Sequence, residues 1–183
     1  MKNPWKTRAV RNVYDNAWIR VSEHQVVNPS GGDGIYGVVN FKNLAIGIIP
    51  LDESDNTWLV GQYRYTLNAY SWEIPMGGSP VNEDPLAGAR RELREETGLS
   101  AKRWTEILRL HTSNCVTDEL GIVYVARGLT HGDPQFDEGE LLDIRMIGMK
   151  DAVAMVLNGD ITDALSVAGL LKAERLRLGG ALP

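Results

Sequence analysis

Glu92, Glu95 and Glu96 crowd three carboxylates into five residues, Arg91 stands directly before them, and a fourth acid, Glu83, lies upstream. On a helix Glu92 and Glu96 would be one turn apart and repel by a few tenths of a kcal/mol, with Glu95 adding to the negative field. Something cationic is expected there. Arg91 can reach Glu95 at i+4, but a hard divalent cation suits such a cluster better, because Mg²⁺ and Mn²⁺ take oxygen ligands and keep positions for water and substrate phosphates. A solvated helix whose arginines and glutamates pair along its surface would also read RRELREET. Such a helix has no need of a glycine and an acid at fixed distances upstream. Gly77, Glu83, Arg91-Glu92-Leu93, Glu95-Glu96 and Gly98-Leu99 occupy nine set positions, and ordinary residue frequencies give a chance match of all nine on the order of 10⁻⁹ to 10⁻¹⁰.

The elements that must hold these side chains are partly legible. Asp84 is a good N-cap, Pro85 fits the first helical position and Gly98 is a natural C′ residue, which predicts a helix of about three to four turns between them. Leu86, Ala89 and Leu93 give it a narrow apolar stripe toward a core. The tract WEIPMGG before it is apolar and tight-turning, so the segment reads as a strand, a loop and a helix that hold acidic side chains against backbone. Upstream, Trp18 to Val27 and Ile35 to Phe41 read as two strands joined by the turn-rich NPSGGDG. Leu44 to Leu51 is a near-continuous apolar run typical of a buried strand, followed by the turn DESDN, a strand from Thr57 to Tyr65 and a short one at Trp72 to Ile74. Beyond the acidic helix, Trp104 to His111, Gly121 to Arg127 and Asp143 to Met149 read as strands. Two helices follow, near Lys150 to Leu157 and from after Asp160 to about Leu178, the second with Ala164, Val167, Leu171 and Leu178 among its apolar positions. Strands with a helix between them and helices at the end predict an α/β chain.

The spacing from Gly77 to Leu99 resembles the Nudix box, Gx5Ex7REUxEExGU with U aliphatic, at every fixed position. The resemblance implies a Nudix-type α/β/α sandwich with a mixed β-sheet, here at residues 43–183, preceded by a small N-terminal β-hairpin unit at 1–42. It implies divalent metal (Mg²⁺ or Mn²⁺) with Glu92 and Glu96 as principal ligands, Glu95 as a further ligand or water-orienting group and the Met76 carbonyl as a backbone ligand. Arg91 would orient the carboxylates, and Gly77 and Glu83 would support them. QYRY (62–65), SWEIP (71–75), TDE (117–119) and the C-terminal GDITDALSVAGLL are similar to the branch that cleaves ADP-ribose and nucleoside diphosphate sugars.

Within that branch Arg64, Tyr65, Trp72 and Glu119 are the candidate substrate contacts, since a guanidinium can fork to phosphate and an aromatic face can stack on a base. Aromatics alternating in strands also serve as core or interface. The general base in such enzymes comes from an acidic loop before the last strand, here FDEGELLDIR, which makes Glu140 the first choice and Glu138 the second. One departure bears on specificity. Members specific for ADP-ribose carry a proline sixteen residues beyond the last glycine of the box, and Asn114 occupies that position. A broader nucleoside diphosphate sugar activity, GDP-mannose included, is therefore expected alongside ADP-ribose. Oxidised nucleotides, dinucleoside polyphosphates, RNA 5′ ends and a non-catalytic nucleotide sensor remain alternatives, though every carboxylate of the box is present.

Composition agrees with one enzyme-sized core. The 183 residues are 43% hydrophobic and 23% charged with a net charge of -5, which speaks against binding to nucleic-acid backbone. Cys115 is the only cysteine, so no intrachain disulfide is available and a reducing compartment, the cytoplasm, is expected. A loop or buried thiol is the expected state of Cys115. The first residues show no signal-like apolar run, and no stretch nears membrane-spanning length. Two strands alone cannot bury a core of their own, so the N-terminal unit must pack on something, and the resemblance implies that it packs across the two-fold axis of a homodimer.

Overall fold

The computed structural model describes residues 1–136 and 141–182. Its centre is a mixed four-stranded sheet in the order β7-β4-β9-β8, built from β4 (Asn43–Pro50), β7 (Met76–Pro80), β8 (Ser100–His111) and β9 (Leu120–Thr130). β4 and β9 run parallel, with Ile46 opposite Ile122 and Ile48 opposite Tyr124. Successive residues of these strands are buried on opposite faces, as expected for a sheet covered on both sides. Ile46, Ile48, Ile122, Tyr124 and Ala126 pack with Ala89 and Leu93 of helix α1 (Pro85–Thr97). Ile49, Val123 and Val125 face the other way and pack with Met149 and Ala152 of α2 (Met149–Asn158) and Leu165, Leu170 and Ala173 of α3 (Ala164–Leu178). The result is the expected α/β/α sandwich. A second antiparallel sheet, β10-β5-β6, continues it through β5 (Asn56–Arg64), β6 (Ala69–Glu73) and β10 (Asp143–Gly148).

Helix α1 begins and ends where its chemistry dictates. The Asp84 carboxylate accepts from the Leu86 N–H, Pro85 opens the helix, and Gly98 closes it at φ 70°, donating its N–H to the Arg94 carbonyl. Helix α3 is capped by Asp163, whose carboxylate accepts from the Ser166 N–H and Oγ at 2.8 Å each. The buried Ser166 Oγ in turn accepts from the Ile74 N–H at 3.0 Å, so the start of α3 fixes the chain just ahead of the glycine pair Gly77-Gly78.

Three expectations need correction. The N-terminal unit is a three-stranded antiparallel sheet, not a hairpin: β1 (Lys6–Asp15) pairs with β2 (Ile19–Val27), which pairs with β3 (Asp33–Phe41). β1 is exposed along its whole length, so no burial is written into KTRAVRNVYD for a pattern to reveal. Met76 to Pro80 forms strand β7 on the edge of the central sheet rather than a loop, because pairing with β4 overrides the turn preference of two glycines. In α3 the buried face is Leu165, Gly169, Leu170 and Ala173, while Ala164, Leu171 and Leu178 are exposed. The small residues Gly169 and Ala173 lie against the sheet, and an apolar-periodicity reading passes over them.

Candidate active site

Strand β7 and helix α1 face each other so that backbone meets carboxylate. Glu92 and Glu96 lie on the inner side of α1 and are 8% and 3% exposed. The Met76 N–H donates to Glu96 Oε2 at 2.8 Å. Gly77 leaves room for Glu92: a Cβ there would stand 2.1 Å from Glu92 Oε2. Arg91 binds the assembly from the outer side, with Nη1 at 2.8 Å from Glu92 Oε1 and 3.0 Å from Glu95 Oε2, and Nη2 donating to the Gly78 carbonyl at 2.8 Å. Burial works against its charge, but Glu92 and Glu95 outweigh that and hold the guanidinium pKa above its ordinary value. Glu83 accepts from the buried Ser79 hydroxyl at 3.0 Å and so braces β7 against the turn before α1. Arg91 and Glu83 thus support the strand–helix junction.

No three acidic, histidine or cysteine side chains among the described residues are gathered as a metal-ligand group. Arg91 holds Glu92 and Glu95 instead, and a guanidinium and a divalent cation compete for the same oxygens. The donor set itself fits a hard cation. It consists of carboxylates held in a largely buried cradle against a residue without a side chain, with a neighbouring peptide in β7.

Beside this junction opens a cleft of about 380 Å³, lined by Met76, Gly77, Gly78, Asn43, Leu44, Ala45, Arg64, Glu119, Trp18 and Phe41. Arg64 and Glu119, predicted as substrate contacts, both line it. Arg64 forks onto the buried carboxylate of Glu73, donating from Nε to Oε1 at 2.9 Å and from Nη2 to Oε2. That hydrogen bond raises the Arg64 pKa, with the fields of Asp163 and Glu96 adding to it. Glu119 accepts from the Thr112 hydroxyl.

Tyr65 and Trp72 are placed elsewhere. Tyr65 lies in the turn after β5, 94% exposed. Trp72 packs edge-on against Tyr70 and under the Arg145 guanidinium, in a separate depression next to α2. Along β5 and β6 the alternation that directs Arg64 and Glu73 to the cleft side directs Trp72 to the opposite face. Glu138 and Glu140, the candidate bases, lie outside the described residues. The described chain before them is tied to α1, since the Gln135 N–H donates to the Glu95 carbonyl at 2.8 Å.

The aromatics that do line the cleft, Trp18 and Phe41, were not singled out for it by the sequence. Trp18 sits at the β1–β2 turn, where Asn16 Oδ1 accepts from the Trp18 and Ile19 N–H groups and the Lys42 N–H donates to the Trp18 carbonyl. Phe41 is held through its own N–H, which donates to Asp118 Oδ1 at 3.0 Å, while Asn40 Nδ2 donates to Asp118 Oδ2 at 2.7 Å. A parallel bridge from Val39 to Thr117 and a hydrogen bond from the Tyr36 hydroxyl to the Cys115 carbonyl complete this seam. The TDE tract, read for Glu119, therefore also docks the N-terminal sheet. Cys115 is an exposed loop thiol.

Comparison with known proteins agrees with this arrangement. Residues 41–166 match the model of the NUDIX domain, and residues 5–39 match that of the nucleoside diphosphate sugar hydrolase N-terminal domain. An ADP-ribose pyrophosphatase of Mycobacterium tuberculosis is 32% identical over 100% of this chain and 89% of its own length. One from Bacillus subtilis is 29% identical over 87% of this chain and 86% of its own. The crystal structure of an ADP compounds hydrolase superposes with a TM-score of 0.85 at 21% identity, covering 97% of each chain, which shows the common fold. The box, the sandwich that presents it and these matches together establish that the chain belongs to the Nudix family.

Proposed function

We propose that this chain is a pyrophosphohydrolase that cleaves nucleoside diphosphate sugars, ADP-ribose and GDP-mannose among them, to a nucleoside monophosphate and a sugar phosphate. The observation that carries the reading is the cleft itself, where two aromatic side chains of the N-terminal sheet, one arginine and the backbone of the Nudix box line a single space. A base can stack at Trp18 and Phe41. The diphosphate can then meet Arg64 beside the carboxylates of α1. Mg²⁺ or Mn²⁺ held by Glu92, Glu96, Glu95 and the Met76 backbone would neutralise phosphate charge and acidify a water. A water oxygen attacks one phosphorus in line, the P–O–P bridge breaks toward the other phosphate, and a carboxylate takes the proton of the water. Glu140 is assigned that role, with Glu138 second.

The N-terminal sheet is assigned a second role, as the pairing surface of a homodimer, because Trp18, Tyr14, Val10, Val13 and Ile35 are all exposed on it. No helix among the described residues is long and apolar enough to cross a membrane, and the free thiol of Cys115 suits a reducing, cytoplasmic setting.

The deciding experiment is turnover of ADP-ribose, GDP-mannose, ADP-glucose and UDP-glucose side by side with Mg²⁺, with the products identified. Release of nucleoside monophosphate and sugar phosphate is expected. Silence on all four, with cleavage of a dinucleoside polyphosphate or of RNA 5′ ends, would overturn the substrate assignment.

A further inference from the structure

Glu73 ends β6 with its side chain only 3% exposed, and it does not line the cleft. A buried carboxylate costs several kcal/mol unless it is paired and hydrogen-bonded. Its partner is the Arg64 fork described above. The pair is not a cross-strand neighbour pair: Arg64 stands opposite Ala69 and Glu73 opposite Val60. The Arg64 side chain therefore runs along the sheet, on the face shared by residues 60, 62 and 64, to reach its acceptor. A guanidinium has two hydrogen-bonding edges in a rigid plane. Glu73 takes the Nε–Nη2 edge, and among the described residues the two donors of Nη1 and the second donor of Nη2 remain.

We infer that Glu73 is a positioning residue for substrate: by fixing one edge of Arg64 it holds the remaining Nη1 donors at the cleft to meet the diphosphate of a nucleoside diphosphate compound. The inference rests on the cleft being the pyrophosphate site. It explains why an ion pair is retained in a place where an apolar pair would clip β5 to β6 equally well. It also requires arginine at position 64, because a lysine has one point of charge and cannot be held by one edge while offering another.

The test is a double-mutant cycle on Glu73→Gln and Arg64→Ala. It reads KM and kcat for ADP-ribose, the calorimetric Kd of non-hydrolysable α,β-methylene ADP-ribose, and Tm. Glu73→Gln should raise KM and Kd about tenfold with kcat within about threefold, since a mis-aimed charge-assisted hydrogen bond is lost. Added to Arg64→Ala it should change neither KM nor Kd by more than about twofold, because its effect passes through Arg64. An unchanged KM in Glu73→Gln, or an equal loss of affinity with and without Arg64, would overturn the inference and leave the pair a strand clip. Should Glu73→Gln fail to fold, Arg64→Lys decides: parental affinity in that variant overturns the inference, and a loss matching Arg64→Ala supports it. Failure of the parent to cleave any sugar nucleotide would refute the hydrolase reading alone, since the calorimetric cycle reports on Glu73 without turnover.

Discussion

At Gly77 a methyl group would have to occupy space that the Glu92 carboxylate already fills, 2.1 Å from the ideal Cβ position. The carboxylate must shift, because the strand behind it is paired with β4. Gly77→Ala is therefore expected to fold and to lose activity on the order of 10²-fold in kcat/KM, as small displacements of catalytic groups do. A circular dichroism spectrum matching the parent, with turnover at the parental rate, would contradict it. Glu96→Gln removes one charge while keeping size and the bond from the Met76 N–H. Most activity should go, and a kcat within about threefold of the parent at saturating Mg²⁺ would refute the ligand role. For the base, Glu140→Gln should lower kcat by roughly 10² or more with little change in KM. An unaffected Glu140→Gln beside a crippled Glu138→Gln would transfer the role. At this scale the acids were legible because their spacing is local. Trp18 and Phe41 were not, since no short-range pattern tells that the turn after β1 and the end of β3 border one cleft.

The elements are held by junctions that the sequence hides in charge. Near the end of α3, Arg177 donates to both oxygens of Glu174 at 2.6 and 2.9 Å and to Asp55 Oδ2 at 2.6 Å, tying the helix to the turn before β5. The hydrogen bond from Arg177 holds the Glu174 carboxyl below its ordinary pKa. A depressed folded-state pKa means a contribution that is present above the unfolded-state value, about 4.3, and lost as pH falls through the folded value. Glu174→Gln should therefore lower stability by about 1 kcal/mol at pH 7, the scale of a partly exposed pair. The gap from the parent should close as pH falls below about 4.3 and through the depressed folded-state value. Thermal unfolding of both proteins across that range checks the sign. A gap that widens on acidification would contradict the assignment. Helix α1, by contrast, was readable to within a residue because Asp84, Pro85 and Gly98 act on their own backbone.

For the molecule as a whole, the N-terminal sheet joins the Nudix core along the β3 seam at Asp118, Thr117 and Cys115, yet it contributes Trp18 and Phe41 to the cleft. Three strands with one wholly exposed member bury little by themselves. A second copy seated on that sheet would supply the burial, through an interface at or above the roughly 1,200–2,000 Å² of standard complexes. Light scattering at micromolar concentration should give about 40 kDa, twice the chain mass of 20.2 kDa. Removing residues 1–42 should abolish both the dimer and turnover although the whole box remains. A stable, fully active monomer of single-chain mass would refute the dimer and the part the sheet plays in the site.

What the sequence determined by itself was chemistry carried within one stretch of chain. The acids of α1, the glycine that admits Glu92, the caps of the helix and the buried run of β4 all depend on neighbours a few residues away, where side-chain type and period act directly. The tertiary structure decided what depends on faces and registers. Pairing with β4 made a strand of Met76 to Pro80, and alternation along β5 and β6 sent Arg64 and Glu73 to the cleft side and Trp72 to the other face. Packing on the sheet likewise selected Gly169 and Ala173 over Leu171 as the inner side of α3. A one-residue change in register exchanges the two faces of a strand at little cost in local propensity. The choice between them is made only where distant segments compete for the same core.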